Sequence, residues 1–375
     1  MAAGLTRLAL LLAVAAALAL AVAGSAAPPL VRAEAYLVQN ASTGEVLASL
    51  DAREQLPVAS ITKLMTVLVT LERAELDEIV TVPRRAAAIG ESSINLGVGE
   101  RITVADLVRA ALIQSANDAA NALAAHVGDG SIPRFVELMN AKARALGLTD
   151  THFVNPDGLD ARGHASSARD VTKLARVAMQ KPFIRETVRI VETRVAGRRL
   201  VNWNDLLSTF PRLLGVKTGH TSRAGWSQVA AARGPGVTIY ATLLGGPSRA
   251  QRNEDLAELL AWGLGRYRPV WAIDAERVYA TARTAYGRPR VRLVAAKPVL
   301  RVVRVDRTLL ERIVAPVEVA LPVRKGQSLG EVRVLDRGKV IARSPLVAAE
   351  SIERPDRFQR VSFYAGRTLD HLWGF

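Results

Sequence analysis

The chain has no cysteine, so disulfides, thiolate metal sites and a thiol nucleophile are all excluded. Histidine is scarce as well: His126, His152, His164, His220 and His371 are the five, and none sits in an H-E-x-x-H or similar pair. A histidine-built zinc centre is therefore not expected, and no metal or organic cofactor is implied. Any hydrolytic chemistry has to rest on serine, lysine, asparagine and arginine. Acidic residues are also in deficit, 35 against 50 Lys and Arg, for a net charge of +15. The deficit is uneven: residues 276–375 carry 20 Lys and Arg against 10 Asp and Glu, a net of +10. Such a surface suits anionic lipid or anionic wall polymer, or simply keeps an arginine-rich domain soluble.

What the chain does have is apolar content enough for a real core, and its 375 residues are enough for two domains. Residues 1–26 read as an export signal: Arg7 in a short leading region, an apolar run from Leu8 to Val22, then small residues that place cleavage between Ala23 and Ala27. An uncleaved anchor competes, because the run and its flank approach the roughly 20 residues that a membrane span needs. Either way the body lies outside the cytoplasm, and no nucleic-acid partner is expected.

Residues 27–268 read as one domain. A hairpin turns at "NASTGE", an apolar helix starts near Ser60, and "GESSINLGVGERI" suggests a second short hairpin. A helical run follows from Thr103 as N-cap to Gly128 as stop, with room for a break inside it. The next helix has Pro133 in its first turn and Gly147 at its end. A loop rich in Asn, Pro, Asp and Gly leads to the helical "ARDVTKLARVAMQ", then to strands from "GVKTG" to "TLLGG" and a helix after Ser248. Strands at both ends of a helical block predict an α+β domain, with helices packed on an antiparallel sheet. Beyond "YRPVWAI", period-2 runs broken by Gly and Pro predict a small all-β domain over 269–355. In the tail, 356–375, Phe358, Val361, Ala365, Leu369, Leu372 and Trp373 share one stripe. That amphipathic helix suits a membrane surface, or docking on the β domain.

The stretch "PVASITKLMTVLVTLE", residues 57–72, is apolar on nearly every helical face yet holds Lys63. A helix greasy all round belongs inside a domain, where an ammonium is costly without a partner or a task. Ser60 lies three residues earlier, on the same face. Desolvation lowers the proton affinity of a lysine and frees a neutral amine to act as base for the hydroxyl. Two further motifs follow in order: Ser115-Ala116-Asn117, whose form Ser93-Ile94-Asn95 also shows, and Lys217-Thr218-Gly219, the chain's only K-T-G. Lysine and threonine on a strand can bind a carboxylate, and Gly219 lets the backbone approach a ligand.

S-x-x-K, S-x-N and K-T-G in this order are the set of penicillin-binding proteins and class A β-lactamases. With the surrounding "ASITKLMT", "LIQSANDAANALA", "LGLTDTHFVNPDGLD" and "GVKTGHTSRAGW", the chain from Glu34 to Trp262 resembles one family. These are the low-molecular-mass penicillin-binding proteins that act as serine-type D-alanyl-D-alanine carboxypeptidases. The resemblance implies an α+β, β-lactamase/transpeptidase-like domain followed by the small all-β domain and the amphipathic tail. It selects Ser115 over Ser93. It implies that Ser60 attacks the penultimate D-Ala to form an acyl-enzyme, with Lys63 as base and with Ser115 and Asn117 passing protons and holding substrate. Lys217 and Thr218, with Arg252, would bind the terminal carboxylate, Gly219 would let the backbone approach the substrate, and the backbone N–H groups of Ser60 and His220 would form the oxyanion hole. The implied partners are peptidoglycan stem peptides ending in D-Ala-D-Ala, β-lactams as covalent inhibitors, and a membrane surface under the tail. Ala116 stands where relatives commonly have Gly or Asp, which touches rate and antibiotic sensitivity more than reaction type. Arg249, one turn from Arg252, competes for its role.

Rival readings remain at this stage. A D,D-endopeptidase of cross-links would use the same machinery. A serine β-lactamase needs a deacylating glutamate, and Glu137-Leu138-Met139-Asn140 resembles such a loop only superficially, since it sits in a periodic helix. The loop "NPDGLD" offers no glutamate, which predicts slow release of penicillin. A non-catalytic wall-binding scaffold could use the same fold, but intact Ser60, Lys63 and Lys217 speak against it. His152 and His164 read as structural.

Overall fold

The structure, a computed structural model, describes the backbone of residues 11–18 and 27–373 and the side chains of 27–365. It divides into two compact units, one of Ser25–Arg266 and one built on Tyr267–Phe375.

The first unit is organised around a five-stranded antiparallel sheet. Its strands are β1 (Ala35–Asn40), β2 (Val46–Leu50), β3 (Leu213–Thr221), β4 (Gly225–Gly234) and β5 (Val237–Gly246), in the order β2-β1-β5-β4-β3. The expected hairpin is β1–β2, and the Asn40 side chain fixes its turn by accepting the N–H groups of Ser42 and Thr43. The helices are α1 (Lys63–Thr70), α2 (Asn117–Val127), α3 (Ile132–Ala145), α4 (Ala168–Ala178) and α5 (Arg249–Gly265). Three of them start where the sequence offers a serine N-cap: Ser131, Ser167 and Ser248 each accept an N–H from three residues on. Helices α4 and α5 cover opposite faces of the sheet. Thr172 of α4 is hydrogen-bonded to Thr242 of β5, while Gly263 of α5 lies against Ile239, and side chains 239 and 242 point to opposite sides of a strand.

The helical run after Thr103 forms with the expected cap, Thr103 accepting the N–H of Asp106 at 3.1 Å. It breaks inside the second motif. A π-turn over Ala110–Gln114 ends at Ser115 in the left-handed conformation, φ 62°, and α2 begins at Asn117. The hairpin expected at "GESSINLGVGERI" does not form. Only Arg101–Thr103 is a strand, paired with Ile79–Thr81, because the segment before it is drawn onto a buried carboxylate instead. Asp118 accepts the Ser93 hydroxyl at 2.6 Å and the N–H groups of Ile94 and Leu96, leaving those backbone groups no part in a ladder. Ser93, the second serine of S-x-N form, is thereby a structural donor.

The second unit is all strand up to a C-terminal helix. A seven-stranded sheet takes in Val278–Thr284, Val291–Ala295, Leu309–Pro316, Ser328–Asp336 and Lys339–Ala348, with a separate pair of Tyr267–Ile273 and Val299–Arg304. Alternating residues such as Val291 and Leu293, Val332 and Val334, fill its core. Of the expected export signal, only Leu11–Leu18 falls within the described residues. It runs antiparallel to Leu309–Pro316 as an edge strand, and the cleavage positions from Ala23 to Ala26 lie outside the described residues. The tail helix is Arg357–Trp373. Phe358 and Val361 are exposed, while Phe363 and Tyr364 set their rings edge-on to Tyr286. The side chains of Leu369, Leu372 and Trp373 lie outside the described ones.

Candidate active site

Every residue of α1 is buried, Lys63 among them at 0% exposure. A short 3₁₀ turn, Ala59–Thr62, delivers Ser60 just before the helix starts. Lys63 Nζ donates to Ser60 Oγ at 2.7 Å, to Asn117 Oδ1 at 2.6 Å and to the carbonyl of Asp157 at 2.8 Å. All three of its donor positions are used. Burial pulls the Lys63 ammonium down to about 8, and the charges of Asp157, Glu91 and Asp118 pull weakly the other way.

The second motif closes the site from the helix side. Asn117 accepts from Lys63 through Oδ1 and donates through Nδ2 to the carbonyl of Gly90 at 3.0 Å, which fixes its amide orientation. Ser115, bent inward by its left-handed backbone, accepts from Lys217 Nζ at 2.9 Å. Ala116 has φ −64° and ψ 122°, a backbone any residue adopts, so the departure from Gly carries no strain.

The third motif comes from β3. Lys217 is buried, and it donates to the Thr218 carbonyl as well as to Ser115. Burial first, then Lys63 and Arg252, hold its proton affinity well below the ordinary lysine value. A Cβ on Gly219 would lie 2.7 Å from the carbonyl oxygen of Val58 and 3.2 Å from the Ala59 Cβ. Glycine at 219 is what lets β3 run along the Ser60 turn. His220 is exposed at the lining of the same cleft as Thr218, with its imidazole against Trp226, centroids 4.0 Å apart.

S-x-x-K, S-x-N and K-T-G meet around one cleft of about 390 Å³, whose walls include Ser60, Ser115, Asn117, Thr218, Gly219 and Arg252. A family model described as D-alanyl-D-alanine carboxypeptidase, peptidase S11, matches residues 22–248. The chain belongs to this family of serine carboxypeptidases. The D-alanyl-D-alanine carboxypeptidase DacD of Salmonella typhimurium is 33% identical over 354 residues, 90% of either chain. Among solved structures, penicillin binding protein 6B from Escherichia coli superposes with a TM-score of 0.64 at 31% identity, covering 86% of this chain and 97% of that one. The Streptomyces K15 DD-transpeptidase matches at a TM-score of 0.61 and 31% identity, covering 64% of this chain and 99% of its own.

In this carboxypeptidase the two candidate arginines separate cleanly. Arg252 is buried, held by Asn253 Oδ1 at 2.6 Å and set over the Trp226 ring at 5.7 Å, and burial pulls it down to about 10. Arg249 is half-exposed and committed to Asp205 by two bonds of 2.8 and 2.5 Å. Arg252 also lies 3.6 Å from Asp205, but of the two arginines only Arg252 is buried.

Sequence reasoning missed several residues here. Asp157 receives Lys63 on its carbonyl, and its carboxylate accepts from Asn121 at 2.6 Å and from the N–H of Leu159. Glu91, Ser92, Trp203 and Trp226 also line the cleft, as does Arg249, which the sequence had offered only as a rival to Arg252. The Asn-Pro-Asp-Gly run was the available signal for Asp157; nothing local pointed to Glu91. Glu137 is exposed, and Asn140 clamps the backbone of Phe153 through both amide atoms, so that pair is structural. His164 is buried and its Nδ1 accepts the Val154 N–H, which leaves Nε2 to donate to Thr62 at 2.8 Å. Burial pulls His164 down to about 4, so it stays a neutral, fixed donor under the Ser60 turn.

Proposed function

We propose that this enzyme removes the terminal D-Ala from peptidoglycan stem pentapeptides through an acyl-enzyme on Ser60. The observation that carries the residue assignment is the fully buried Lys63 amine held 2.7 Å from Ser60 Oγ. In its neutral form Lys63 takes the Ser60 proton as Oγ attacks the carbonyl carbon of the penultimate D-Ala. The backbone N–H groups of Ser60 and His220 receive the oxyanion, where one donor contributes about 3 to 4 kcal/mol in the transition state. The proton taken up by Lys63 passes by way of the Ser115 hydroxyl, bridged to Lys217, to the departing amine, and the C–N bond breaks with release of D-Ala. Arg252, with Lys217 and Thr218, binds the terminal carboxylate; Asn117 holds the peptide backbone. Water then cleaves the ester and frees Ser60. β-Lactams acylate the same hydroxyl, and Glu137, which does not line the cleft, is not placed to hasten their release as the deacylating glutamate of a class A β-lactamase does.

The reaction belongs outside the cytoplasm. Residues 1–26 act as the export signal, 27–268 as the catalytic domain and 269–355 as the β domain. Segment 356–375 associates with the membrane surface, a reading supported by the exposed Phe358 and Val361. Among the described residues no helix is long and apolar enough to cross a membrane.

The deciding experiment is intact-mass analysis after incubation with benzylpenicillin, followed over hours, with Ser60→Ala alongside. The expected result is a lasting adduct on the wild type only, and D-Ala release from a D-Ala-D-Ala peptide. An adduct on Ser60→Ala would overturn the nucleophile. Rapid penicilloate formation without a lasting adduct would overturn the carboxypeptidase assignment in favour of a β-lactamase.

A further inference from the structure

The walls of the cleft are electrostatically unequal. Arg252 lies near enough to Lys217 to help lower its proton affinity, after burial and Lys63, and Arg249 lines the cleft as well. Glu91 lines the cleft from the side of Lys63 and Asn117, and its charge is one of those that act on Lys63. Among the described residues that line the cleft it is the only acid. Its carboxylate is exposed and has no hydrogen-bond or ion-pair partner among the described residues.

Its position is nonetheless fixed. On one side Gly90 accepts from the Asn117 side chain at 3.0 Å; on the other, the carbonyl of Ser92 accepts the Asn117 N–H at 2.7 Å and the Ser92 hydroxyl donates to the Gln114 carbonyl. Glu91 itself is held at φ 65°, a left-handed backbone that glycine or asparagine adopts more readily. A long, charged, unpaired side chain kept in a strained backbone at the rim of a cleft is an outlier that points to ligand contact.

The leaving D-Ala places its carboxylate at Arg252, Lys217 and Thr218. The acyl half of the peptide therefore extends past Ser60 toward the opposite wall. We propose that Glu91 is a specificity-determining residue that receives a cationic side chain of the stem peptide, the primary ammonium of the residue preceding D-Ala-D-Ala. This rests on the carboxypeptidase reading and adds a second anchor to it: a carboxylate read at one end of the cleft, an ammonium at the other.

The test compares two peptides, Nα-acetyl-L-Lys-D-Ala-D-Ala with a free ε-ammonium and its Nα,Nε-diacetyl counterpart, on the full-length enzyme and on Glu91→Gln. Removing the Glu91 charge also lowers the proton affinity of Lys63, so the readout is the ratio of kcat/KM between the peptides, in which that effect cancels. The wild type is expected to favour the charged peptide by about tenfold, and Glu91→Gln to bring the ratio within about twofold. Glu91→Gly, which relieves the backbone, is expected to give the same collapse with an unchanged or raised Tm, separating recognition from folding. A wild-type ratio near one, or a preference kept in both variants, overturns the role of Glu91 while leaving the carboxypeptidase reading intact. No D-Ala release from either peptide, with no penicillin adduct, overturns that reading and this one with it.

Discussion

Lys63 is the residue on which burial and function meet. With its proton affinity pulled down to about 8, the amine is largely protonated at neutral pH and becomes a free base as the pH climbs through that value. The rate constant for acylation by benzylpenicillin is therefore expected to rise with pH and level off above about 8. Stopped-flow measurement from pH 6 to 9.5 checks this, and a flat or falling profile would remove Lys63 from the base role. Stability follows the same group. The folded state binds this proton less tightly than the unfolded chain, so the cost of a charged Lys63 is fully present below about 8 and fades as pH rises toward the ordinary lysine value of 10.5. Legibility in the sequence was good for this residue, because an apolar run around a lone lysine is a local pattern. It was poor for Glu91, whose neighbours Gly90 and Ser92 are tied to Asn117, and for Asp157, whose carbonyl meets a Lys63 amine 94 positions away in the chain.

Among elements, the turn that presents Ser60 depends on a neighbour distant in sequence. The loop through Gly158 crosses so closely that a Cβ there would lie 1.9 Å from the Ala59 carbonyl oxygen, and Gly158 also has φ 88°. Gly163 in the same loop has φ 83° but open space around it. Gly158→Ala is expected to cost about 2 to 4 kcal/mol and to slow acylation, whereas Gly163→Ala pays only the backbone term of about 1 kcal/mol. Urea unfolding of both variants separates steric crowding from backbone strain; equal losses would mean that the contact with Ala59 is unimportant. The α+β arrangement and most helix starts were readable, since caps and hydrophobic periods are local. The segment at Gly90 was misread as a hairpin because its glycines and alternating residues look like one. The buried Asp118 that captures its N–H groups belongs to a helix 22 or more residues later.

At the scale of the molecule, the cleft where the three motifs meet is lined wholly by residues of Ser25–Arg266, which has its own core. The Streptomyces structure, 99% of which is matched by 64% of this chain, has a comparable extent. A fragment ending at Arg266 is accordingly expected to fold and to form the penicillin adduct at a rate within about threefold of the full chain, since distant, independent sites act nearly additively. Intact-mass kinetics on the fragment check this. A tenfold loss would show that residues beyond 266 shape the cleft. The net positive charge of residues 276–375 lies outside the unit whose residues line the cleft.

The sequence by itself determined the reaction class. With no cysteine and no metal motif, a buried lysine one turn from a serine, followed in order by S-x-N and K-T-G, leaves few chemistries open. It also determined most helices, through serine caps and periodic apolar faces. Only the tertiary structure decided what holds Ser93 out of the cleft, which of two arginines is buried beneath it, and what surrounds the Lys63 amine. Those outcomes rest on contacts between residues tens of positions apart, such as Ser93 with Asp118 and Lys217 with Ser115. A local pattern can name a group able to do the chemistry, but packing alone sets its distances, its burial and hence its proton affinity.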